Sequence, residues 1–249
     1  MPSPAVPGAD ARIGVKIDFV AKFLGERLKP LGYSRRGRTF HRVVGDGDGE
    51  CVQLLDLQGD KWNEGGRGKF TVNLGVRFPA LLALQAKLPG LEWIGEHVKP
   101  TQIAFGPGGF QGRLNDAVSP TRDPRWPNEL RNGADFWATI DETTDLSALA
   151  EGLAVAVVDH TPAWFDARSR LAAFGQPALQ TFGMPSAREA VLAAVLQRDA
   201  ELAAQRVRAV EPHRLAQDAK QFAALLDLLR EHGVDVEGIG WIKPAPAKR

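Results

Sequence analysis

The strictest constraint on the fold is a strand-like alternation at residues 69–78. Five apolar residues, Phe70, Val72, Leu74, Val76 and Phe78, alternate there with polar or small ones. Successive side chains of a β-strand point to opposite faces, so this segment predicts a strand with one wholly apolar face. Such a face needs a covering layer, and the chain must therefore pack helices or a second sheet on it.

The segment before this strand supplies a helix and further strands. Apolar residues recur at three- and four-residue steps from Ile17 to Leu31, which predicts an amphipathic helix ending at Gly32. The period changes to two residues from Tyr33 to Val44, so we predict the first strand there. Residues 45–49 contain only Gly and Asp, and residues 51–58 are rich in Val and Leu, which together predict an antiparallel hairpin.

The middle of the chain is less regular. We predict a short helix at about residues 80–88, weak strands at 102–105 and 112–117, and a last strand at 135–141. Asp145 is a suitable N-cap for a helix that runs to about Arg170 and is bent or split at Pro162.

The C-terminal part is helical. Ser186 and Glu189 form a capping box that opens a helix carrying apolar residues as far as Val207. A second helix is predicted from about His213 to His232, and the short connection between the two predicts a helical hairpin.

These elements define an α+β fold in which an antiparallel sheet of four to six strands is flanked by helices, with a C-terminal helical hairpin. We divide the chain into four parts: a disordered leader at 1–12, an α+β domain at 13–183, the helical hairpin extension at 184–242, and a disordered tail at 243–249.

Composition excludes several classes of function. Thirty-one Lys and Arg residues against 30 Asp and Glu give a net charge of +1, which argues against a nucleic-acid partner and against binding to an anionic membrane surface. The apolar stretches are too short to span a bilayer. The single cysteine, Cys51, excludes an internal disulfide and fits a reducing compartment, so we expect a cytoplasmic protein.

An arginine-rich segment is the best candidate for binding an anion. Arg36, Arg38 and Arg42 share one face if residues 33–44 form one strand, and Asn73 and Arg77 share the polar face of the alternating strand. Guanidinium groups bind carboxylates and phosphates in bidentate geometry, so these five residues are the anion-binding candidates if the two polar faces coincide. The alternative is a solvated sheet face with surface ion pairs.

Two tryptophans are candidates for binding a partner protein. Trp62 and Trp126 lie in polar or proline-rich loops, whereas the other four lie in more apolar segments. Exposed tryptophan is favoured at protein interfaces, although a loop tryptophan can also fold back as a plug.

No motif for metal, cofactor or catalysis is present. The five histidines form no close pair, and Asp46, Asp48 and Glu50 imitate only the start of a calcium loop. Nucleophile-elbow, phosphate-loop and dinucleotide-binding glycine patterns are absent. We therefore name no catalytic residue, no metal ligand and no cofactor.

Several segments together resemble the DUF4304 family, bacterial domains of unknown function, over about residues 16–170. The resembling segments follow the first helix and are Leu28–Arg42, Val52–Gln58, Lys69–Val76 and Asp135–Ile140. In the family pattern an arginine segment precedes a double-tryptophan strand, and Arg113 and Phe136-Trp137 take these places here. The stretch 106–134 and the helices after residue 184 depart from the pattern. The resemblance implies a helix-flanked antiparallel sheet and no particular activity.

We hypothesise a non-catalytic binding or accessory protein, for example an immunity-type or regulatory partner of another protein. It would be a monomer or a homodimer formed through the C-terminal helices. The alternative is an enzyme that acts on a small anionic or phosphorylated substrate held by the arginine patch.

Overall fold

The computed structural model describes residues 5–97, 99, 108–118, 137–179 and 186–241. Within these ranges the chain forms nine α-helices and a six-stranded antiparallel sheet, which confirms the predicted α+β class. The strands are β1 (Ser34–Arg36), β2 (Thr39–Val44), β3 (Cys51–Gly59), β4 (Gly68–Arg77), β5 (Gly109–Arg113) and β6 (Ala138–Ile140). The helices are α1 (Ile13–Leu28), α2 (Pro79–Ala86), α3 (Trp93–His97), α4 (Leu114–Ala117), α5 (Leu146–Arg168), α6 (Ala187–Leu196), α7 (Ala200–Arg208), α8 (Pro212–Leu215) and α9 (Ala219–Glu231).

The first five strands, β1 to β5, are adjacent in chain order. β6 pairs with the start of β4, on the same side of β4 as β5. Phe40 pairs with Leu55, and Leu55 pairs with Leu74. Paired residues of antiparallel strands project to the same face, so this row marks the face that packs on the helices α1 and α5. We call it the helix-covered face and the opposite one the second face.

The predicted first strand is two strands. A two-residue turn at Gly37 and Arg38 separates β1 from β2, and Gly37 has a φ of 62°. A positive φ at the first central residue suits a tight hairpin whose twist matches that of its strands, and glycine adopts it without a steric penalty. The two-residue period of the sequence continues across such a turn. The hydrophobic pattern alone therefore does not reveal the turn between β1 and β2.

The predicted hairpin around residues 45–49 and the alternating strand β4 are both present. The segment predicted as a strand at 112–117 is instead the end of β5 followed by α4. Asp145 caps α5 as predicted, because its carboxylate accepts from the N–H groups of Ser147 and Ala148. The helix α5 continues through Pro162 without a break.

The C-terminal helices are present, but each predicted helix is divided. The first breaks between α6 and α7 at Arg198, whose φ is 58°. Asp199 N–H donates to Ala194 O and Arg198 N–H donates to Val195 O, the two hydrogen bonds of a Schellman cap. The second divides into α8 and α9, and α9 ends at a glycine with positive φ, Gly233, as predicted.

Some predictions lie outside the described residues. These are the weak strand at 102–105, the tail at 243–249 and the partner-binding candidate Trp126. Of the predicted leader at 1–12, residues 5–12 are described, and they contain a turn closed by a hydrogen bond from Ala11 N–H to Gly8 O.

Candidate functional site

The structure does not bring the five anion-binding candidates into one patch. Arg42 pairs with Gln53 and lies on the helix-covered face, two residues after the buried Phe40. Arg77 pairs with Val52 on the second face. The strand alternation that makes Phe40 a core residue directs Arg42 to the same side, so the two polar faces do not coincide.

Two of these arginines are bound within the fold. Arg38 donates from Nε to Asp18 Oδ1 at 2.7 Å and from a terminal nitrogen to Gly14 O at 2.9 Å. Both acceptors belong to α1, so Arg38 fastens the β1–β2 turn to that helix.

Arg42 has an equally local role. It donates to Gln53 Oε1 at 2.7 Å and to Leu31 O at 3.1 Å, and its guanidinium lies 4.8 Å from the centre of the Tyr33 ring. The guanidinium of Arg42 is therefore bound by groups of the protein itself, beside the buried phenol of Tyr33.

The other three candidates share the second face. Arg36, Thr39, Asp56, Asn73 and Arg113 are paired in sequence across β1 to β5, so one polar side chain from each strand lies in a single row. We call these five residues the polar row. Arg77 lies on the same face but is buried, and burial lowers the pKa of its guanidinium to about 10, which still leaves it charged at neutral pH.

The centre of the polar row is a hydrogen-bonded network. Thr39 Oγ1 donates to Asp56 Oδ1 at 2.7 Å, and Asn73 Nδ2 donates to Gln58 Oε1 at 2.8 Å. Burial raises the pKa of the Asp56 carboxyl, and hydrogen bonds from Thr39 and Asn73 act in the opposite direction.

Trp137, which is not one of the sequence-predicted candidates, lies beside this row. The ammonium of Lys69 is 5.1 Å and the guanidinium of Arg113 is 5.5 Å from the Trp137 ring centre. The only sequence signal for this cluster was the family resemblance. In that resemblance Arg113 takes the place of the family's arginine, and Trp137 belongs to the pair that replaces its double tryptophan.

Trp62 is the most exposed large apolar side chain within the described residues, with 76% of its surface accessible. It lies in the connection between β3 and β4, residues 60–67, which we call the Trp62 loop. The ammonium of Lys61 lies 4.9 Å from its ring centre. An open concavity of about 680 Å³ is lined by Trp62 and by residues 64–68.

The Trp62 loop is fixed at its base. Trp62 N–H donates to Asp60 Oδ1 at 2.9 Å, and Asp60 Oδ2 forms an ion pair with Lys69 at 3.1 Å. Asn63 exchanges two hydrogen bonds with the backbone of Lys69, at 2.7 and 2.9 Å. Arg67 donates to both carboxylate oxygens of Glu142, with 2.6 Å from Nε to Oε2.

A buried lysine fastens the far end of the loop. Lys16 is 1% exposed, and its ammonium donates to the carbonyl oxygens of Ala9 at 2.7 Å, Gly66 at 2.9 Å and Asp141 at 3.2 Å. The three N–H donors of one ammonium thus satisfy carbonyl oxygens from three segments of the chain. The role of Lys16 is not evident from the sequence, because a lysine on a helix is ordinarily exposed.

The described residues contain no cluster of three or more His, Cys, Asp or Glu side chains suited to a metal ion. Cys51 is buried, and burial raises the pKa of its thiol, which makes it a poor nucleophile at neutral pH. No helix in the described part of the chain has the length and apolar character needed to cross a membrane.

The fold and these surfaces define an α+β protein built on an antiparallel sheet with a fixed, tryptophan-bearing loop. The chain belongs to the DUF4304 family, a domain of unknown function, whose family model matches residues 24–167. This confirms the resemblance seen in the sequence. Neither the curated proteins nor the solved structures gave a match.

Proposed function

We propose that this protein is a non-catalytic binding protein and that the Trp62 loop is its contact surface for another protein. The observation that carries the proposal is a tryptophan that is 76% exposed on a loop fixed by side-chain hydrogen bonds and ion pairs. Tryptophans are frequent hot spots of interfaces, and a loop that is ordered before binding loses little conformational entropy on binding.

The surroundings of Trp62 fit a partner of mixed polarity. The concavity beside Trp62 is lined by Glu64, by Arg67, whose guanidinium is paired with Glu142, and by three glycines, so it offers polar groups at its rim and free space for a side chain. A hydrophobic anchor surrounded by polar groups is the usual composition of a protein interface.

We propose further that the protein is an accessory protein of the immunity or regulatory type that works in a bacterial cytoplasm. The buried, unpaired thiol of Cys51 is compatible with a reducing compartment. The partner is another protein rather than nucleic acid or a membrane. The protein itself would be a monomer or a homodimer through the C-terminal helices.

A pull-down with matched variants tests the proposal. The immobilised protein is exposed to a lysate of its source cells, and a retained protein is then purified and its affinity measured. We expect Trp62→Ala to lower that affinity about thirtyfold or more, since a hot-spot side chain contributes roughly 2 kcal/mol or more. Trp93→Ala, which removes a tryptophan that is 45% exposed, is the control and should bind as the wild type does. Retention of no protein, or equal binding by both variants, would refute the proposal.

An enzyme acting on a small anionic substrate is the second candidate, and the polar row favours it. Arg36 and Arg113 lie in that row with a carboxyl group, Asp56, whose pKa is raised, and shifted pKa values are typical of functional sites. Inorganic phosphate is a suitable probe. This candidate predicts that phosphate shifts the backbone NMR signals of residues 36, 56 and 73 and that Arg36→Ala abolishes the shifts. Unchanged signals at high phosphate would exclude it.

A further inference from the structure

We infer that the concavity beside Trp62 receives an arginine side chain of the partner protein. This inference rests on the proposed function, because it names the group that the Trp62 loop contacts. The concavity has a volume of about 680 Å³ and is lined by Trp62, Glu64, Arg67 and three glycines. An indole and a carboxylate thus border one open space, and a guanidinium binds groups of both kinds.

The backbone carbonyl oxygens of the loop are already hydrogen-bonded. Glu64 and Arg67 exchange two backbone hydrogen bonds, at 3.1 and 3.3 Å. The carbonyl oxygens of the two glycines between them accept from Ile13 N–H at 2.7 Å and from the ammonium of Lys16 at 2.9 Å. A ligand that approaches residues 64–67 therefore finds every carbonyl oxygen of this turn in use.

The side chains leave one charge in the concavity without a partner. Arg67 donates to both carboxylate oxygens of Glu142, so its charge is compensated within the protein. Glu64 is exposed, and its carboxylate forms no ion pair and accepts no hydrogen bond in the part of the chain that the structure describes. A ligand in the concavity meets this carboxylate, and charge complementarity therefore selects a cation.

The indole of Trp62 already attracts a cation of its own chain. Lys61 forms no ion pair with Glu64, and its ammonium lies 4.9 Å from the centre of the Trp62 ring. A cation–π contact at an exposed site is weak, so an incoming cation can replace this ammonium or stack on the other face of the ring. Arginine suits the site better than lysine, because a planar guanidinium stacks on an aromatic ring and also donates to a carboxylate.

Anionic and apolar groups fit the concavity less well. The carboxylate of Glu64 would repel an anion, and an apolar group would bury that carboxylate without a partner, which is unfavourable. An arginine avoids both costs. Its guanidinium pairs with the carboxylate, and its methylene stem covers apolar surface of the indole.

Binding of two capped tripeptides tests the inference without the partner. The probes are acetyl-Gly-Arg-Gly-amide and its citrulline analogue, which has nearly the same shape and no charge. The NMR signal of the Trp62 indole N–H, assigned with Trp62→Phe, reports binding to the full chain. We expect the arginine peptide to bind about fivefold more tightly than the citrulline peptide, since only the first carries the charge for both contacts.

Charge-removing variants give expected changes of opposite sign. Glu64→Gln should weaken the arginine peptide about threefold, because it removes the ion pair. Lys61→Gln should tighten it about twofold, because it removes the competing ammonium. Glu231→Gln, at an exposed carboxylate of α9, is the matched control and should leave the affinity unchanged. Circular dichroism of each variant establishes that it is folded.

Several results would overturn the inference. These are no binding of the arginine peptide, equal binding of the two peptides, no effect of Glu64→Gln, or weaker binding in Lys61→Gln, which would indicate an anion. The partner retained in the pull-down separates this inference from the proposed function. If Trp62→Ala weakens the partner and Glu64→Gln does not, the contact surface stands and the arginine is refuted. If Trp62→Ala has no effect, the proposed function itself fails.

Discussion

At the scale of single residues, the structure depends on polar side chains that are buried but hydrogen-bonded. Lys16 satisfies three carbonyl oxygens, and Gln53 accepts from Arg42 while it donates to Ser169 Oγ at 2.7 Å. Burying a polar group is unfavourable unless it finds partners, so each of these residues fixes the segments it contacts. Trp62 is the opposite case, because it is a large apolar side chain that stays exposed to water on a hydrogen-bonded loop.

Replacing Lys16 should destabilise the protein. Lys16→Met keeps the length of the side chain but leaves the carbonyls of Ala9, Gly66 and Asp141 without their donor. We expect the free energy of unfolding to fall by about 2–3 kcal/mol, measured by urea denaturation. Lys22→Met, at an exposed position of the same helix, should change it by less than about 0.5 kcal/mol. Equal stability of the two variants would show that the three hydrogen bonds contribute nothing.

Tyr33 should ionise at a higher pH than an ordinary tyrosine. Burial raises its pKa to about 12, although the nearby Arg42 acts in the opposite direction. The folded state therefore holds the phenolic proton more tightly than the unfolded state, whose tyrosine titrates near the ordinary value of 10. The stability due to this group is complete below pH 10 and is lost as the pH rises towards 12, a loss of about 3 kcal/mol.

The measurement is direct because the chain contains one tyrosine. The tyrosinate absorbance of the folded protein should rise with a midpoint about two units above that of the urea-unfolded chain. In Tyr33→Phe this signal should vanish, and the stability of this variant should depend less on pH over that range. A midpoint shared by the folded and unfolded states would contradict the buried environment of Tyr33.

At the scale of elements, two helix ends show which helix boundaries can be predicted from the sequence and which cannot. Gly233 was predicted to end a helix, and it adopts a φ of 75° there. Arg198 has the same role between α6 and α7 with a φ of 58°, but arginine is a good helix former, so an unbroken helix was predicted. Tertiary packing of α6 and α7 imposes this turn, and a single sequence does not reveal such packing.

Substitutions at these two helix ends should act in opposite directions. Arg198→Gly removes the strain of a side chain in the left-handed region and should raise the free energy of unfolding by about 0.5–1 kcal/mol. Gly233→Ala introduces that strain and should lower it by about 1 kcal/mol. Thermal or urea unfolding measures both. Destabilisation by Arg198→Gly would mean that the arginine side chain itself stabilises the turn.

At the scale of the whole molecule, the two faces of the sheet separate the candidate site residues. The alternation of β4 predicted the apolar face and hence the α+β class, which the structure confirms. It did not predict that Arg36 and Arg42 lie on opposite faces of the sheet. Their placement depends on the turn at Gly37, which determines which residues of β1 and β2 pair. Nor did it show the polar row, since pairing partners come from five separate strands. Trp62 lies at one end of the sheet, in the loop that joins its two longest strands.

The most direct test of the central claim is photo-crosslinking from position 61, beside Trp62, inside the source cells. A photoreactive phenylalanine derivative replaces Lys61 in one variant and Trp93 in the other, so both probes occupy exposed positions and Trp62 itself is retained. We predict a covalent adduct with one protein from position 61 and none with that protein from position 93. No adduct from position 61, or the same adducts from both positions, would contradict the assignment of the Trp62 loop as a contact surface.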